Sequence, residues 1–442
     1  MTRAVRWIAA ASFAAAMPAA YAQTPPPATA PAPTAAPAAE APPPGLWING
    51  IHFSAQIQGG FTANPATPDS GVNFGRLFDD RANQPLLNQL MLTANKPLDP
   101  KAEGFDWGFK LQAFYGSDAR YTHFLGIWDQ NPGPGYRNQF DVTEANVLLH
   151  LPVLTEGGID VKAGLFTTPI GYETIDPSTN MFYSHSYIFN FGLPLKHTGI
   201  LTTTHVSPLL DIYLGVDSGI NTTIGCCRGD NNGKPGGIIG FGLNMFDGEV
   251  TFLALTHIGP ENPSRGLAPA FNANKYLRYV SDAYVVWKAT DKLTFVTDFN
   301  WIRDDFLGNA PFATGNPKPA NGFGVAQYMS LALSETVTFN ARAEVFRDDN
   351  NAFVAAFGNN NDFARVQLGM VPYGPIFFSN KPTTYGAITV GLTIKPELPA
   401  PVSGLMIRPE LRVDSALNGA KPFKNGNASS AVTFASDFVL TF

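Results

Sequence analysis

Cysteine, charge and long apolar runs are all scarce in this chain. Its two cysteines, Cys226 and Cys227, are adjacent in a Gly/Asn-rich stretch. Such a pair makes neither a disulfide framework nor a zinc spacing, and no role follows for it. Charged residues make up 14% of the chain, against about 25% in an average soluble domain. The formal charge is −6 and no basic run occurs, so nucleic acid is not an expected partner. Beyond the N-terminus no apolar stretch reaches the roughly 20 residues that a membrane helix needs. Phosphate-binding glycine loops, the G-x-S-x-G elbow and the H-E-x-x-H zinc pattern are also missing. Ser184 and His185 are neighbours, which on a strand would face opposite sides and could not form a catalytic pair. Among seven histidines, His185, His197 and His205 lie closest together, but at no ligand spacing. The expectation is no enzyme, no cofactor and no metal.

Other features are abundant. Arg3 and Arg6 precede a short alanine-rich apolar run from Trp7 to Met17, and Ala20-Tyr21-Ala22 follows. A basic start, a short hydrophobic centre and an A-x-A end are the parts of a secretory signal peptide, here residues 1–22. Pro18 ends the run too early for an anchor. Residues 23–45 are almost entirely Pro, Ala and Thr, a composition that cannot bury enough surface to fold and favours an extended, disordered periplasmic linker.

From there onward the recurrent signal has period two. Ile51, Phe53, Ala55, Ile57 and Phe61 alternate with small or polar residues, and so do Phe105, Trp107, Phe109, Leu111 and Ala113. The pattern returns around Val161, Ile212, Phe241, Phe299, Val345 and Val390. Strict alternation marks strands with one apolar and one polar face. The breaks between them sort by parity. Ser207-Pro208, Asp247-Gly248, Ala289 to Asp291 and Ser334-Glu335 are tight. Between them lie the long stretches 218–236, 259–275, 304–320 and 348–382. Short periplasmic turns alternating with long external loops characterise outer-membrane barrels, whereas a secreted sandwich has no reason to sort its loops. The expected fold is therefore all-β, a transmembrane antiparallel β-barrel over residues 46–442. Counting hairpins gives about sixteen strands, within fourteen to eighteen; the least regular is the one around Arg120 to Trp128. The strand carrying Trp47 should pair with the last strand to close the ring.

Charge placement follows the same parity. Arg408, Glu410, Arg412 and Asp414 share one face, and Arg342 and Glu344 interrupt an apolar alternation. An Arg on the lipid side near the midplane costs roughly 2–4 kcal/mol. These residues should face the lumen, as should Lys110, Lys162, Asp211 and Asp298. Both signs occur, which argues against a strongly anion-selective site. At the C-terminus Phe434, Phe438, Leu440 and Phe442 lie on one face of the final strand. A terminal Phe on such a strand resembles the signal by which the outer-membrane assembly machinery recognises its clients.

The run from Gly164 to Leu201 is more particular. Gly164-x-Phe166-x-Thr168-Pro169-x-Gly171-Tyr172-Glu173 leads to Tyr183-Ser184-His185-Ser186-Tyr187, then Pro194 and His197-Thr198-Gly199. With Tyr115-Gly116-x-Asp118-Ala119-Arg120 and Arg342-x-Glu344-x-Phe346-Arg347-Asp348, this resembles the putative β-barrel porin family 2, called OmpL-like, from about Gly45 to Phe442. The resemblance implies a barrel in the bacterial outer membrane. Thr167 to His197 is longer than an ordinary loop. By analogy with diffusion porins it would fold inward as a constriction, with Glu173, Asp176, His185 and Lys196 near the eyelet. Alternatively, it is an external loop packed on its neighbours through Tyr183, Phe189 and Phe191. The expected function is passive diffusion of small hydrophilic solutes, general or weakly selective. The alternative is a plugged barrel serving as an anchor or binding surface. Expected partners are outer-membrane lipid, the assembly machinery and small solutes; trimers are common among sixteen-strand porins, so a homotrimer is open.

Overall fold

A half-apolar strand is stable in lipid only when both of its edges are paired, which a closed ring provides. The computed structural model describes residues 46–100, 102–123, 136–223, 232–262, 273–307, 318–354, 382–399 and 402–442. The signal peptide, the Pro/Ala linker, Cys226 and Cys227 lie outside the described residues. In chain order the strands are β1 (Leu46–Ile48), β2 (Ile51–Ala63), β3 (Pro85–Lys96), β4 (Asp106–Gly116), β5 (Gln139–Leu151) and β6 (Ile159–Thr167). Next come β7 (Lys196–His205), β8 (Leu210–Asp217), β9 (Gly236–Met245), β10 (Val250–Gly259), β11 (Arg278–Thr290) and β12 (Leu293–Asp304). The last are β13 (Ala320–Ala332), β14 (Val337–Asp348), β15 (Thr383–Ile394), β16 (Gly404–Ala416) and β17 (Ser430–Thr441). From β2 onward each strand pairs antiparallel with its successor, and β17 pairs with β2, so sixteen strands close a barrel.

The closing partner of β17 differs from the expectation. Ring closure runs from Phe434↔Ala63 to Thr441↔Gln56, while Trp47 belongs to the short extra strand β1. Asn49 and Gly50, with φ of 50° and 78°, form a two-residue hairpin turn that folds β1 onto β2, where Trp47 pairs with His52. Just past β17, Phe442 exchanges backbone bonds with Ala55. β1 then covers the stretch of the β2 edge that β17 does not reach.

The strand expected around Arg120 is also absent at its start. Ala119–Thr122 is a short helical turn, α1, and residues 124–135 lie outside the described set. Arg120 is drawn inward by Asp80, to which it donates two hydrogen bonds of 2.9 and 2.6 Å.

The two ends of the barrel differ as the alternation of breaks requires. Connections 206–209, 246–249, 291–292 and 333–336 are at one end; 64–84, 168–195 and the described parts of 117–138 and 349–382 are at the other. Outward positions such as Leu111, Phe299 and Ile388 are more than half exposed, whereas the polar neighbours Gln112, Asp298, Asn300 and Thr389 are buried. Two bulges break this alternation usefully. One sets Asn88 and Gln89 both inward, and the other does so for Thr143 and Glu144, all fully buried.

Candidate constriction site

Beyond Thr167 the chain cannot continue as a strand. Pro169 lacks a ladder donor, and Gly171 takes a φ of 94°. Residues 168–195 then turn into the lumen. Phe182, Tyr183, Tyr187, Ile188 and Phe189 are each at most 3% exposed. Tyr187, Ile188 and Phe189 pack with Leu77 and Phe78 of 64–84, with Tyr121 of α1, and with wall residues Val296, Tyr328, Phe346 and Tyr385. The His185 ring stacks on Phe189 at 3.9 Å, with the Phe78 ring edge-on at 4.9 Å. The wall makes room locally: a Cβ at Gly60 would lie 2.3 Å from the Tyr183 ring.

Irregular backbone in a protein-filled lumen needs side chains to stand in for the missing ladder. The inward charges of β14 and β16 do this. Glu410 accepts from the Tyr183 and Ser184 amides at 3.0 and 3.2 Å, and Glu344 accepts from the Tyr187 amide at 2.6 Å. Arg408 donates to the Pro177 and Asn180 carbonyls at 2.8 and 2.7 Å, and Arg412 to His185 O at 2.7 Å. Arg342 donates to Ser184 O at 2.9 Å and to Glu173 Oε1 at 2.7 Å. From elsewhere in the ring, Gln89 reaches Ile175 O at 2.9 Å and Asn300 reaches Gly192 O at 3.1 Å.

The guanidinium groups are themselves balanced. Arg342 Nε and Arg412 Nη2 each lie 3.2 Å from Glu344 Oε1. Arg412 also holds Asp414 at 2.8 Å, and Arg408 pairs with Asp437. Arg76, from 64–84, joins Asp79 and reaches Asp414 at 2.8 Å. At the base of α1, Asp118 accepts from Asn88 and Gln89 at 2.8 and 3.0 Å.

The expected eyelet residues separate in this geometry. Glu173 is the hub of the segment: besides Arg342 it meets His185 Nδ1 at 3.1 Å, Ser186 N at 2.9 Å and the Tyr328 hydroxyl at 3.1 Å. Burial opposes its charge, but the Arg342 guanidinium and the bonds from His185 and Ser186 outweigh this and hold its pKa at about 2. Asp176 caps the 3₁₀ turn Pro177–Thr179 and accepts from Gln56 at 3.2 Å. Lys196 sits apart in the wall, fully buried, with Nζ 2.6 Å from Asp141 and 2.9 Å from Val142 O.

Of the expected lining residues, Arg342, Glu344, Arg408, Glu410 and Arg412 are the buried anchors just described. Asp298 is also buried, on β12. Lys110, 3.6 Å from Glu144, and Asp211, 2.7 Å from His205, keep about a third of their side chains exposed. Lys162 lies over the Phe166 ring at 5.9 Å. Sequence reasoning passed over Arg76, Asp79 and Asp80, in a connection to which it gave no role, and the side-chain amides of Asn88 and Gln89 on the bulged strand β3.

Comparison with known proteins agrees with this architecture. The outer membrane channel DcaP of Acinetobacter baumannii superposes with a TM-score of 0.51 at 10% identity, over 90% of this chain and 100% of that one. The high-pH structure of Pseudomonas putida OprB superposes with a TM-score of 0.52 at 14% identity, over 89% and 94% respectively. At these identities the likeness concerns the fold. No curated protein matches the chain. A family profile does match residues 50–442, and by it this chain belongs to the family described as putative beta-barrel porin-2, OmpL-like.

Proposed function

We propose that solutes cross this barrel by passive diffusion along a path that residues 168–195 narrow in the outer half of the lumen. The family is one of outer-membrane β-barrel porins, so the chain resides in the bacterial outer membrane with its short turns toward the periplasm and its long connections outward. One observation carries the narrowing. The backbone of a single inward segment is held by Gln89 of β3 and by Asn300 of β12, strands on nearly opposite sides of the ring.

Below the segment, lumen-side residues near the short-turn end stay partly open to solvent. Lys110, Asp160, His205 and Asp211 each keep about a third of their side chain exposed. Their mixed signs support small hydrophilic solutes with weak ion preference. The outer wall carries an apolar groove bounded by Leu46, Phe53, Leu92, Leu111 and Phe442; a homotrimer would pack on such a face, with outer-membrane lipid covering the rest. This reading assigns no catalysis.

A second reading has its own support. The buried apolar cluster joining Phe78, Tyr121, Tyr187 and Phe189 to walls β12 to β15 resembles a plug more than a water-lined eyelet. Single-channel recording in planar bilayers separates the two. The diffusion reading expects small, steady steps from the intact protein and larger ones when residues 174–186 are replaced by a short Gly/Ser linker. Silence from an intact, heat-modifiable barrel, with steps appearing only after the replacement, would establish the plug.

A further inference from the structure

Outside the constriction, one buried cluster is assembled from three separate strands. His197 of β7, Asp217 of β8 and His257 of β10 bring one ligand atom each to within 4.8 Å of the others. Asp217 lies between the two rings, 2.7 Å from His197 Nδ1 and 3.0 Å from His257 Nε2. Both histidines are fully buried. We propose that His197, Asp217 and His257 bind one divalent transition-metal ion of the zinc class at the outer end of the barrel.

Four features support this assignment. First, two imidazoles and a carboxylate form the three-ligand set that leaves a fourth position for water. Tetrahedral zinc places its ligand atoms about 3.3 Å apart, so an ion would draw together three side chains whose ligand atoms already lie within 4.8 Å of one another. Second, each ring turns its other nitrogen toward an orienting group. His197 Nε2 is within hydrogen-bond reach of Thr168 Oγ1 at 3.0 Å, whereas His257 Nδ1 faces Glu261 Oε1 at 3.8 Å, an approach that metal binding would have to tighten. A ligating histidine nearly always has such a partner, which fixes its tautomer and orientation.

Third, the space is kept by glycines. A Cβ at Gly236 would lie 2.4 Å from His257 Nε2 and 2.8 Å from Asp217 Oδ1. One at Gly259 would lie 2.6 Å from Glu261 Oε1, and one at Gly219 would lie 2.9 Å from Glu261 Oε2. Fourth, carboxylates gather here in a form that suits a dication. Asp217 and Glu261 bring two carboxylates against two imidazoles, while the nearby Arg278 is bonded to Asp304 at 2.8 Å. A dication offsets both carboxylates. Through Thr168 and His197 it would also brace the two roots of the inward segment.

Equilibrium binding to the full-length mature chain, refolded without an affinity tag and stripped with EDTA, tests the proposal. One Zn²⁺ per chain is expected by atomic emission, and Co²⁺ should give the visible bands of a four-coordinate site. The paired substitution His197→Gln and His257→Gln should abolish both. Thr168→Val and Glu261→Gln leave the three ligands in place and should each weaken binding by about ten- to a hundredfold. Failure of the heat-modifiable native barrel to bind zinc would overturn the proposal, leaving a hydrogen-bonded triad. So would unchanged affinity in the paired variant, or in Thr168→Val and Glu261→Gln together.

Discussion

At the scale of single residues, Glu173 shows how a charge can be useful in a packed lumen. It touches Arg342, His185, Ser186 and Tyr328 at once, so its ionised form is stabilised from several elements. Its pKa falls from 4.5 to about 2. A depressed carboxylate contributes stability that is complete above the unfolded value and is lost as pH drops through the folded one. The contribution is on the order of 3 kcal/mol, and its window lies between about pH 4.5 and pH 2. Channel recordings on acidification should therefore stay quiet to about pH 4 and then become noisy as the segment loosens. Glu173→Gln should be noisy at neutral pH and flatter across the same range; equal pH profiles would refute this role. Arg342 and Glu344 were legible as inward charges because they interrupt an apolar alternation. Their service to the backbone of residues 182–187 was not, since nothing local in β14 records what lies across the lumen. His257 was opaque for the same reason: its partners His197 and Asp217 are remote in sequence and meet only through the pairing of β7 with β8 and the return of β10.

At the scale of elements, strands were read more easily than the segments inside them. Period two is a local property, and a chain crossing lipid must obey it in every strand. Bulges defeat that reading by design. Asn88 and Gln89 point the same way, so no alternating pattern marks both as lumenal. The hairpin of β1 was signalled by Asn49-Gly50, a pair suited to a turn with two positive φ values, yet Trp47 read naturally as the start of the next strand. Gly50→Ala strains that turn by about 1 kcal/mol. Hydrogen exchange should then speed up at residues 46–53 while the rest of the barrel stays protected. Unaltered exchange there would mean that β1 is held by something other than its turn. For the inward segment, length was informative and direction was not. A sequence of 28 polar and aromatic residues suits an external flap as well as a lumenal one, and only the wall carboxylates and guanidinium groups decide between them.

For the whole molecule, the sorting of side chains between lipid and lumen dominates the energetics. Phe299, near the middle of β12, is 52% exposed, and its neighbour Asp298 is buried. Phe299→Arg should cost roughly 2–4 kcal/mol in a bilayer, read as a lower midpoint of urea unfolding in lipid vesicles. Little loss would place Phe299 near the headgroups. The strand count, the parity of the connections and this lipid face were all open to sequence reading, because a closed barrel repeats one rule sixteen times. The filling of the outer half of the lumen was not, because it depends on residues 64–84 and 168–195 meeting in space.

The end-to-end arrangement of β1 and β17 along β2 has a topological consequence. Leu46 pairs with Phe53 and Phe442 bonds to Ala55, so the barrel is close to a continuous loop with a single nick. A circularly permuted chain, cut within 291–292 and joined from Phe442 to Leu46 by a few residues, would keep every strand pairing. Its final residue would no longer be Phe442. Such a permutant would separate the sealing of the seam from the position of the chain ends.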